Sequence, residues 1–272
     1  MAAASGDGLF AGSIPKIYET QLVPLIFRPY AADLARRLAA HPPRRLLELA
    51  AGTGVVTRAL AAALPAETEI VATDLNQAML DYAATVGTPR PVTWRQADAM
   101  QLPFGDGEFD AVVCQFGVMF FPDKPKAYAE TRRVLRSGGV YVFNVWDRLE
   151  ENEFADIVSA AVATVFPSDP PRFLARTPYA YNDRVTLTRD LEQGGFPGAQ
   201  IETVPERSRA ASARSAAIAF CQGTPLRNEI EQRGASRLGE ATASAEQALL
   251  RRFGQGAIEG KMQAHVVSVQ KG

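Results

Sequence analysis

Cysteine and histidine are nearly missing from this 272-residue chain, with two of each. Cys114 and Cys221 cannot build a disulfide framework or supply a four-ligand zinc site, and only His41 and His265 could add imidazole. An excess of one charge is missing too. Twenty-nine basic against thirty acidic side chains leave a net charge of −1, so no basic surplus is available to hold a nucleic-acid backbone. No apolar run approaches the roughly 18 residues that a membrane helix needs. Met1–Gly8 is small and polar, without the charged-then-apolar order of a secretory signal. What is present is 47% hydrophobic and 22% charged residues, ample for a packed core. These absences lead to the expectation of a metal-free, cytoplasmic globular protein with no membrane span and no nucleic-acid partner.

Along the chain, short apolar runs alternate with helix-forming stretches. Arg45–Leu49 lies between Pro42-Pro43 and a glycine-bearing turn, as a strand buried on both faces does. Val55–Ala63 follows as a helix that Pro65 stops. Glu69–Thr73, Val92–Gln96 and Phe109–Gln115 read as further strands, with a helix at Ala78–Ala84. Phe109–Gln115 shows no polar alternation, which predicts a central position. Lys124–Leu135 has helical spacing, with Ser137-Gly138-Gly139 expected to end it and Val140–Val145 to form the fifth strand. Alternation of this kind argues a parallel sheet covered by helices on both sides.

Beyond Trp146 the pattern loosens. Helices are predicted at Asn152–Phe166, Thr188–Gly194, Ser212–Cys221, Leu226–Arg233 and Glu240–Phe253, and strands at Ala199–Val204 and His265–Val269. Between them, Pro167–Pro178 carries four prolines. At about 150 residues per domain the length allows one or two domains. With no repeat and no low-complexity linker, residues 1–272 read as one domain, divided into a segment 9–40, a core 44–146 and a remainder 147–272.

The most informative stretch is Glu48-Leu49-Ala50-Ala51-Gly52-Thr53-Gly54 and the helix after it. A buried strand feeding a turn of small residues lets backbone approach a ligand and aims amide N–H groups at it. Asp74 ends the second strand, 20 residues beyond Gly54, where a carboxylate can accept both hydroxyls of a ribose. A dinucleotide fingerprint would place glycine at position 57, which is Thr57. Glu48, at the strand end, is unwelcome beside a diphosphate and welcome beside an aminated, positively charged ligand.

These residues resemble the class I S-adenosylmethionine-dependent methyltransferases, and the likeness spans about Arg44 to Trp146. Glu48 through Gly54 is similar to that family's acidic-x-G-x-G-x-G motif, with Ala50 replacing the first glycine; a negative φ at Ala50 would keep the approach open. Thr73-Asp74-Leu75-Asn76-Gln77-Ala78-Met79-Leu80 resembles the ribose segment, which implies Asp74 on the hydroxyls and Leu75 and Met79 beside the adenine. Gln96-Ala97-Asp98-Ala99-Met100 resembles the adenine segment, which implies that Asp98 accepts from the exocyclic amine and the Ala99 amide donates to the ring. Arg133–Gly139 resembles the helix-to-strand junction. The resemblance further implies a Rossmann-like α/β fold: a seven-stranded, mostly parallel sheet of order 3-2-1-4-5-7-6 with helices on both faces. His265–Val269 is then the last, antiparallel strand. An N-terminal helical lid and helical substrate-side decorations complete the expectation.

S-adenosyl-L-methionine is thus the expected cofactor, held by Tyr18, Glu48, Ala50, Gly52, Thr53, Gly54, Asp74, Leu75, Met79, Asp98, Ala99, Gln115 and Phe116. Ile14–Thr20 with Leu22–Tyr30 resembles the leading segment of the ubiquinone/menaquinone C-methyltransferase branch, where Tyr18 would lie beside the sulfonium. Methyl transfer from a sulfonium needs alignment and water exclusion more than a dedicated base, so no catalytic residue is named. No Asn/Asp-Pro-Pro-aromatic motif follows the fourth strand, and Cys114 follows Val113, not proline, which weighs against nucleobase and amide acceptors. Phe116, Met119, Phe120 and Phe121 suit a flat or greasy small molecule or simply pack the core. Arg172, Arg176, Tyr179 and Tyr181 could meet a substrate but default to the surface. Two other readings stay open here: a nicotinamide-dependent oxidoreductase on a related sheet, and a non-catalytic cofactor-binding protein of the same fold.

Overall fold

The computed structural model describes residues 14–272. The Met1–Gly8 start and the first residues of the expected lid, 9–13, lie outside them. Seven strands form one sheet: β1 (Arg45–Leu49), β2 (Glu69–Asp74), β3 (Thr93–Gln96), β4 (Phe109–Gln115), β5 (Leu135–Trp146), β6 (Gln200–Ala210) and β7 (Ile258–Gln270). Their order is β3-β2-β1-β4-β5-β7-β6. β1 pairs in parallel with β2 on one side and β4 on the other, which is why Leu46 through Leu49 are all buried. β4 runs parallel to β5 as well, matching its unbroken apolar run. β7 enters antiparallel beside β5, in register from Val140↔Gln270 to Trp146↔Ala264. The two last strands are longer than their apolar cores, because charged and polar residues fill the exposed positions of β6 and β7.

Several boundaries differ from expectation: the helix expected at Thr188–Gly194 spans Arg184–Gln193, the strands expected at Ala199–Val204 and His265–Val269 extend to Ala210 and over Ile258–Gln270, and β5 begins early. The helix Lys124–Val134 stops without the glycines, and Ser137, Gly138 and Gly139 already belong to β5. A β-carbon on Gly139 would lie 2.9 Å from the Arg136 carbonyl and 3.0 Å from that of Asp110. The glycine therefore lets β4 and β5 approach closely where their register shifts.

The chain divides into two compact units, each drawn from separated stretches. The sheet unit comprises Arg28–Trp146, Tyr181–Val204 and Ala264–Gly272. On one face, Leu34 and Leu38 of the helix Arg28–Ala39 and Val56, Leu60 and Leu64 pack on Leu46, Ile70, Ala111, Val113, Val142 and Val266. The helices Lys124–Val134 and Arg184–Gln193 pack on each other, and Tyr128 stands among Tyr141, Phe143 and Tyr181. His265 is buried, with Nδ1 3.0 Å from Thr203 Oγ1, a link between β7 and β6.

Among the described residues, the helical unit comprises Ile14–Phe27, Asp147–Ala180 and Pro205–Gln263. Its helices Glu153–Val165, Ala213–Gln222 and Leu238–Phe253 pack together, with Cys221 buried among them. Tyr18–Phe27 is a π-helical turn sequence around Pro24, packed on Ala213–Gln222. The prolines of 167–178 leave only the short helix Phe173–Arg176. Tyr179 here, and Tyr181 in the sheet unit, are buried, contrary to their expected surface positions; apolar ring area outweighs the hydroxyl. Arg176 pairs with Glu229 at 2.7 Å, and the Arg172 amide donates to the same carboxylate. No helix among the described residues is long and apolar enough to cross a membrane.

Gly194 ends the helix Arg184–Gln193, and a β-carbon there would collide with Tyr128 Cβ and lie 3.0 Å from the Pro125 carbonyl. Gly194→Ala is expected to destabilise the protein by about 1–3 kcal/mol and lower the thermal midpoint. Gly239→Ala, in open space on the helix Leu238–Phe253, should raise it slightly. Thermal melts of both variants check the pair.

Candidate functional site

The turn leaving β1 is left-handed at three positions: Ala50 at φ 52°, Gly52 at 55° and Gly54 at 85°. The expected negative φ at Ala50 is therefore not met. Ala50 keeps the conformation that a glycine would adopt, at a strain of roughly 1 kcal/mol. The methyl is accommodated opposite Gly117, whose own β-carbon would lie 2.5 Å from Ala50 Cβ. Gly54 is required by packing as well as φ, since a β-carbon there would lie 2.9 Å from the Trp94 ring. Ala51 N–H donates to the Thr73 carbonyl at 2.9 Å, so the turn hangs on the end of β2. Thr53 is buried, and its Oγ1 has no hydrogen-bond partner among the described residues.

Asp74 closes β2 beside this turn. Its Oδ2 accepts from Gly52 N–H and its Oδ1 from Asn76 N–H, both at 2.8 Å. Burial raises its pKa, and those amide donors work against the rise. Each oxygen keeps a lone pair for a further donor. Leu75 follows with 53% of its surface exposed, one of few large apolar side chains left open among the described residues. Met79 is buried and belongs to the core. Asp98 lies past β3, its Oδ1 accepting from Met100 N–H at 2.8 Å, and Ala97 N–H donates to the Asp74 carbonyl at 3.0 Å. Asp74, Leu75, Asp98 and Ala99 are thus gathered at the ends of two neighbouring strands.

Glu48 takes a different place from the one expected. It is 1% exposed and turned toward the helix Val55–Ala63, where its Oε2 accepts from Thr57 Oγ1 at 2.6 Å. Burial pushes its carboxyl up to about 8, opposed by the Thr57 hydroxyl and the Arg58 charge. The residue stands beneath the turn as a concealed acid at a helix N-terminus. Thr57, the residue that breaks the dinucleotide fingerprint, is its partner.

At the end of β4, Gln115 is partly exposed and Phe116 is buried at φ 49°. Phe116 stacks on Trp146 with centroids 3.7 Å apart and planes 5° apart, and Tyr30 meets both rings edge-on. Phe116 N–H donates to Asn144 Oδ1 at 2.9 Å and to the Asn144 carbonyl at 3.2 Å. Asn144 escapes sequence reasoning, although a lone amide inside the apolar run Val140–Trp146 is the available signal. Met119 is buried, while Phe120 and Phe121 are partly exposed. Tyr18 belongs to the helical unit, its ring stacked on Phe27 at 5.1 Å.

Among the described residues no cluster of histidine, cysteine and acidic side chains could hold a metal. Burial in β4 raises the Cys114 thiol far above its usual range, which removes it as a nucleophile at neutral pH.

A family profile described as a methyltransferase domain matches residues 47–143. A demethylmenaquinone methyltransferase of Deinococcus radiodurans is 40% identical over 114 residues, 41% of this chain and 47% of that protein. A ubiquinone/menaquinone biosynthesis C-methyltransferase of Burkholderia mallei is 32% identical over 183 residues, 63% of this chain and 74% of that protein. The matched region therefore spans about half of the first relative and three quarters of the second. In fold, the chain is similar to the Bacillus subtilis YcgJ protein, with a TM-score of 0.56 at 18% identity over 89% of this chain and 98% of that one. It is also similar to a Haemonchus contortus phosphoethanolamine N-methyltransferase solved with S-adenosyl-L-methionine. There the TM-score is 0.62 at 15% identity, over 99% of this chain and 60% of that one.

The state of Glu48 makes stability pH-dependent in a defined sense. Its folded pKa, about 8, lies above the ordinary value of 4.5, so its contribution is full below 4.5 and is lost as pH rises through 8. Glu48→Gln keeps an acceptor for Thr57 and removes that loss. The variant is expected to be more stable than the parent by about 1–3 kcal/mol at pH 9, with little difference at pH 4.5. Denaturant titrations at the two pH values measure it.

Proposed function

Because this chain belongs to the class I S-adenosylmethionine-dependent methyltransferases, we propose that it carries the methyl group of S-adenosyl-L-methionine to a small-molecule acceptor, with the ends of β1 to β4 as the cofactor's seat. The observation that carries this reading is Asp74, held by Gly52 and Asn76 with a lone pair spare on each oxygen and exposed Leu75 beside it. That combination fits an adenosine: two adjacent hydroxyls for one carboxylate and an apolar ring for one apolar side chain. The unpartnered Thr53 Oγ1 within the turn is a further group suited to a polar ligand.

When bound, the cofactor supplies a methyl carbon on a positive sulfur, open to in-line displacement. The chain's residues do the holding. Asp74 accepts from the ribose, Leu75 lies against the adenine, and Asp98 and the Ala99 amide meet its edge. The turn Ala50–Gly54 leaves room for the remaining chain, and Gln115 and Phe116 border it from β4. Glu48 acts from beneath: a positive ligand above the turn favours its ionised form, so binding expels a proton while Thr57 keeps the carboxylate aligned.

The acceptor proposed is a planar, oxygen-bearing ring of the quinol kind, supported by the names of the relatives from Deinococcus and Burkholderia. Attack by a ring carbon of such an acceptor would form the bond to the methyl as the methyl–sulfur bond breaks and S-adenosylhomocysteine leaves, with the hydroxyl proton and the displaced ring proton passing to solvent. Residues 1–272 serve as one methyltransferase domain in the cytoplasm, without a nucleic-acid partner, in keeping with the net charge of −1. A nicotinamide cofactor is disfavoured by Thr57 at the third glycine position and by the concealed acid under the turn.

Calorimetry should give micromolar binding of S-adenosyl-L-methionine and of S-adenosylhomocysteine, and none of reduced nicotinamide dinucleotide. Asp74→Ala should weaken both by at least tenfold, about 1.4 kcal/mol; unchanged affinity contradicts the placement. At pH 7 the binding heat of S-adenosyl-L-methionine should vary with the buffer's ionisation enthalpy, and Glu48→Gln should abolish the dependence. Labelled-methyl transfer to a panel of hydroquinones tests the acceptor, and a folded protein that binds cofactor yet labels none would favour a non-catalytic role.

A further inference from the structure

Asn144 lies inside β5 between Phe143 and Val145, and is 0% exposed. Only half of its amide is satisfied. Oδ1 accepts from Phe116 N–H at 2.9 Å, whereas Nδ2 has no partner among the described residues. The two ends cannot be exchanged, because a flipped amide would set an N–H against the N–H of Phe116. A buried, unsatisfied donor is destabilising. The strand tolerates it to keep an acceptor at that one point.

The group on the other side of this bond is strained. Phe116 is at φ 49°, in the left-handed region that bulky residues avoid. Its N–H is gripped twice, by the side chain and the main chain of Asn144. Its ring is fixed by Trp146 at 3.7 Å and by Tyr30, whose hydroxyl donates to the Val204 carbonyl at 3.0 Å. The next residue, Gly117, presses against Ala50, the first left-handed residue of the β1 turn. That turn leads directly to Gly52, whose N–H holds Asp74. A contiguous set of contacts therefore runs from β5 through β4 to the turn.

We propose that Asn144 is a positioning residue for cofactor binding: it holds the left-handed bend at Phe116 so that Gly117 seats Ala50 and fixes the turn that carries Gly52. The proposal rests on the reading of that turn as the seat of S-adenosylmethionine. An acceptor oxygen at position 144 is the part that matters. Leucine matches the size without it, aspartate retains it, and glycine at 116 adopts the bend unaided.

S-adenosylhomocysteine is the probe, titrated calorimetrically at about 15 °C, with near-ultraviolet circular dichroism reporting the Phe116–Trp146 stack. Asn144→Leu should bind at least tenfold more weakly than the parent and lose part of the tryptophan band. Asn144→Asp should stay within threefold and keep the band. In a Phe116→Gly background, adding Asn144→Leu should change affinity by less than threefold. Should Asn144→Leu not fold, Asn144→Ser, too short to reach Phe116 N–H, takes its place in both comparisons. The inference is overturned if the variant without an acceptor binds within twofold of the parent, or if its loss is equally large in the Phe116→Gly background. A parent protein that does not bind the probe removes the cofactor reading and this inference together; a parent that binds alongside an unaffected variant removes the inference alone.

Discussion

The carboxylate of Asp74 joins the parts of this molecule that are proposed to seat its ligand. Its two bonds, to Gly52 N–H in the β1 turn and to Asn76 N–H ahead of the next helix, tie two adjacent strand ends into one rigid edge. A buried carboxylate is costly, and the amides that offset the cost are the same ones that shape the turn. Moving the turn would leave the charge unsatisfied; neutralising the charge would release the turn. Around this joint the small residues acquire their meaning. Gly54 makes way for Trp94, and Gly117 makes way for Ala50.

Two acids near one another have been given different tasks by their surroundings. Asp74 stands at the edge with amide donors and lone pairs to spare. Glu48 stands below, with the Thr57 hydroxyl as its side-chain donor and little water. Desolvation dominates at Glu48 and pushes its carboxyl up to about 8, against the Thr57 hydroxyl and the Arg58 charge. The hydroxyl orients the carboxyl group, and the charge acting on it comes from Arg58.

Strain is concentrated in the same place. Ala50 and Phe116 are the non-glycine residues with positive φ among the described ones, and each directly follows one of the paired strands β1 and β4. Backbone held so far from its preferred region persists only where neighbours over-determine it. Here the neighbours are an aromatic stack, a doubly accepted N–H and a contact between a methyl and a missing methyl. An apolar central strand bearing an unsatisfied amide follows the same logic: local stability is surrendered for a defined geometry at the sheet's edge.

The positions of the strands, the acid at the end of β2 and the glycine turn were legible from the chain because they depend on local pattern, whereas the order of the strands was implied by the resemblance to the class I methyltransferases. Apolar runs, turn residues and spacing act over a few residues, and a buried parallel strand has few other ways to look. Tertiary structure alone decided where the side chains face. The direction of Glu48 depends on Thr57 from the following helix, and the burial of Tyr179 and Tyr181 depends on packing around a proline-broken segment. The space for the Ala50 methyl depends on Gly117, 67 residues away, and the bond to Asn144 Oδ1 comes from Phe116, just past another strand. Such outcomes are set by contacts between distant parts of the chain, for which one-dimensional periodicity carries no term.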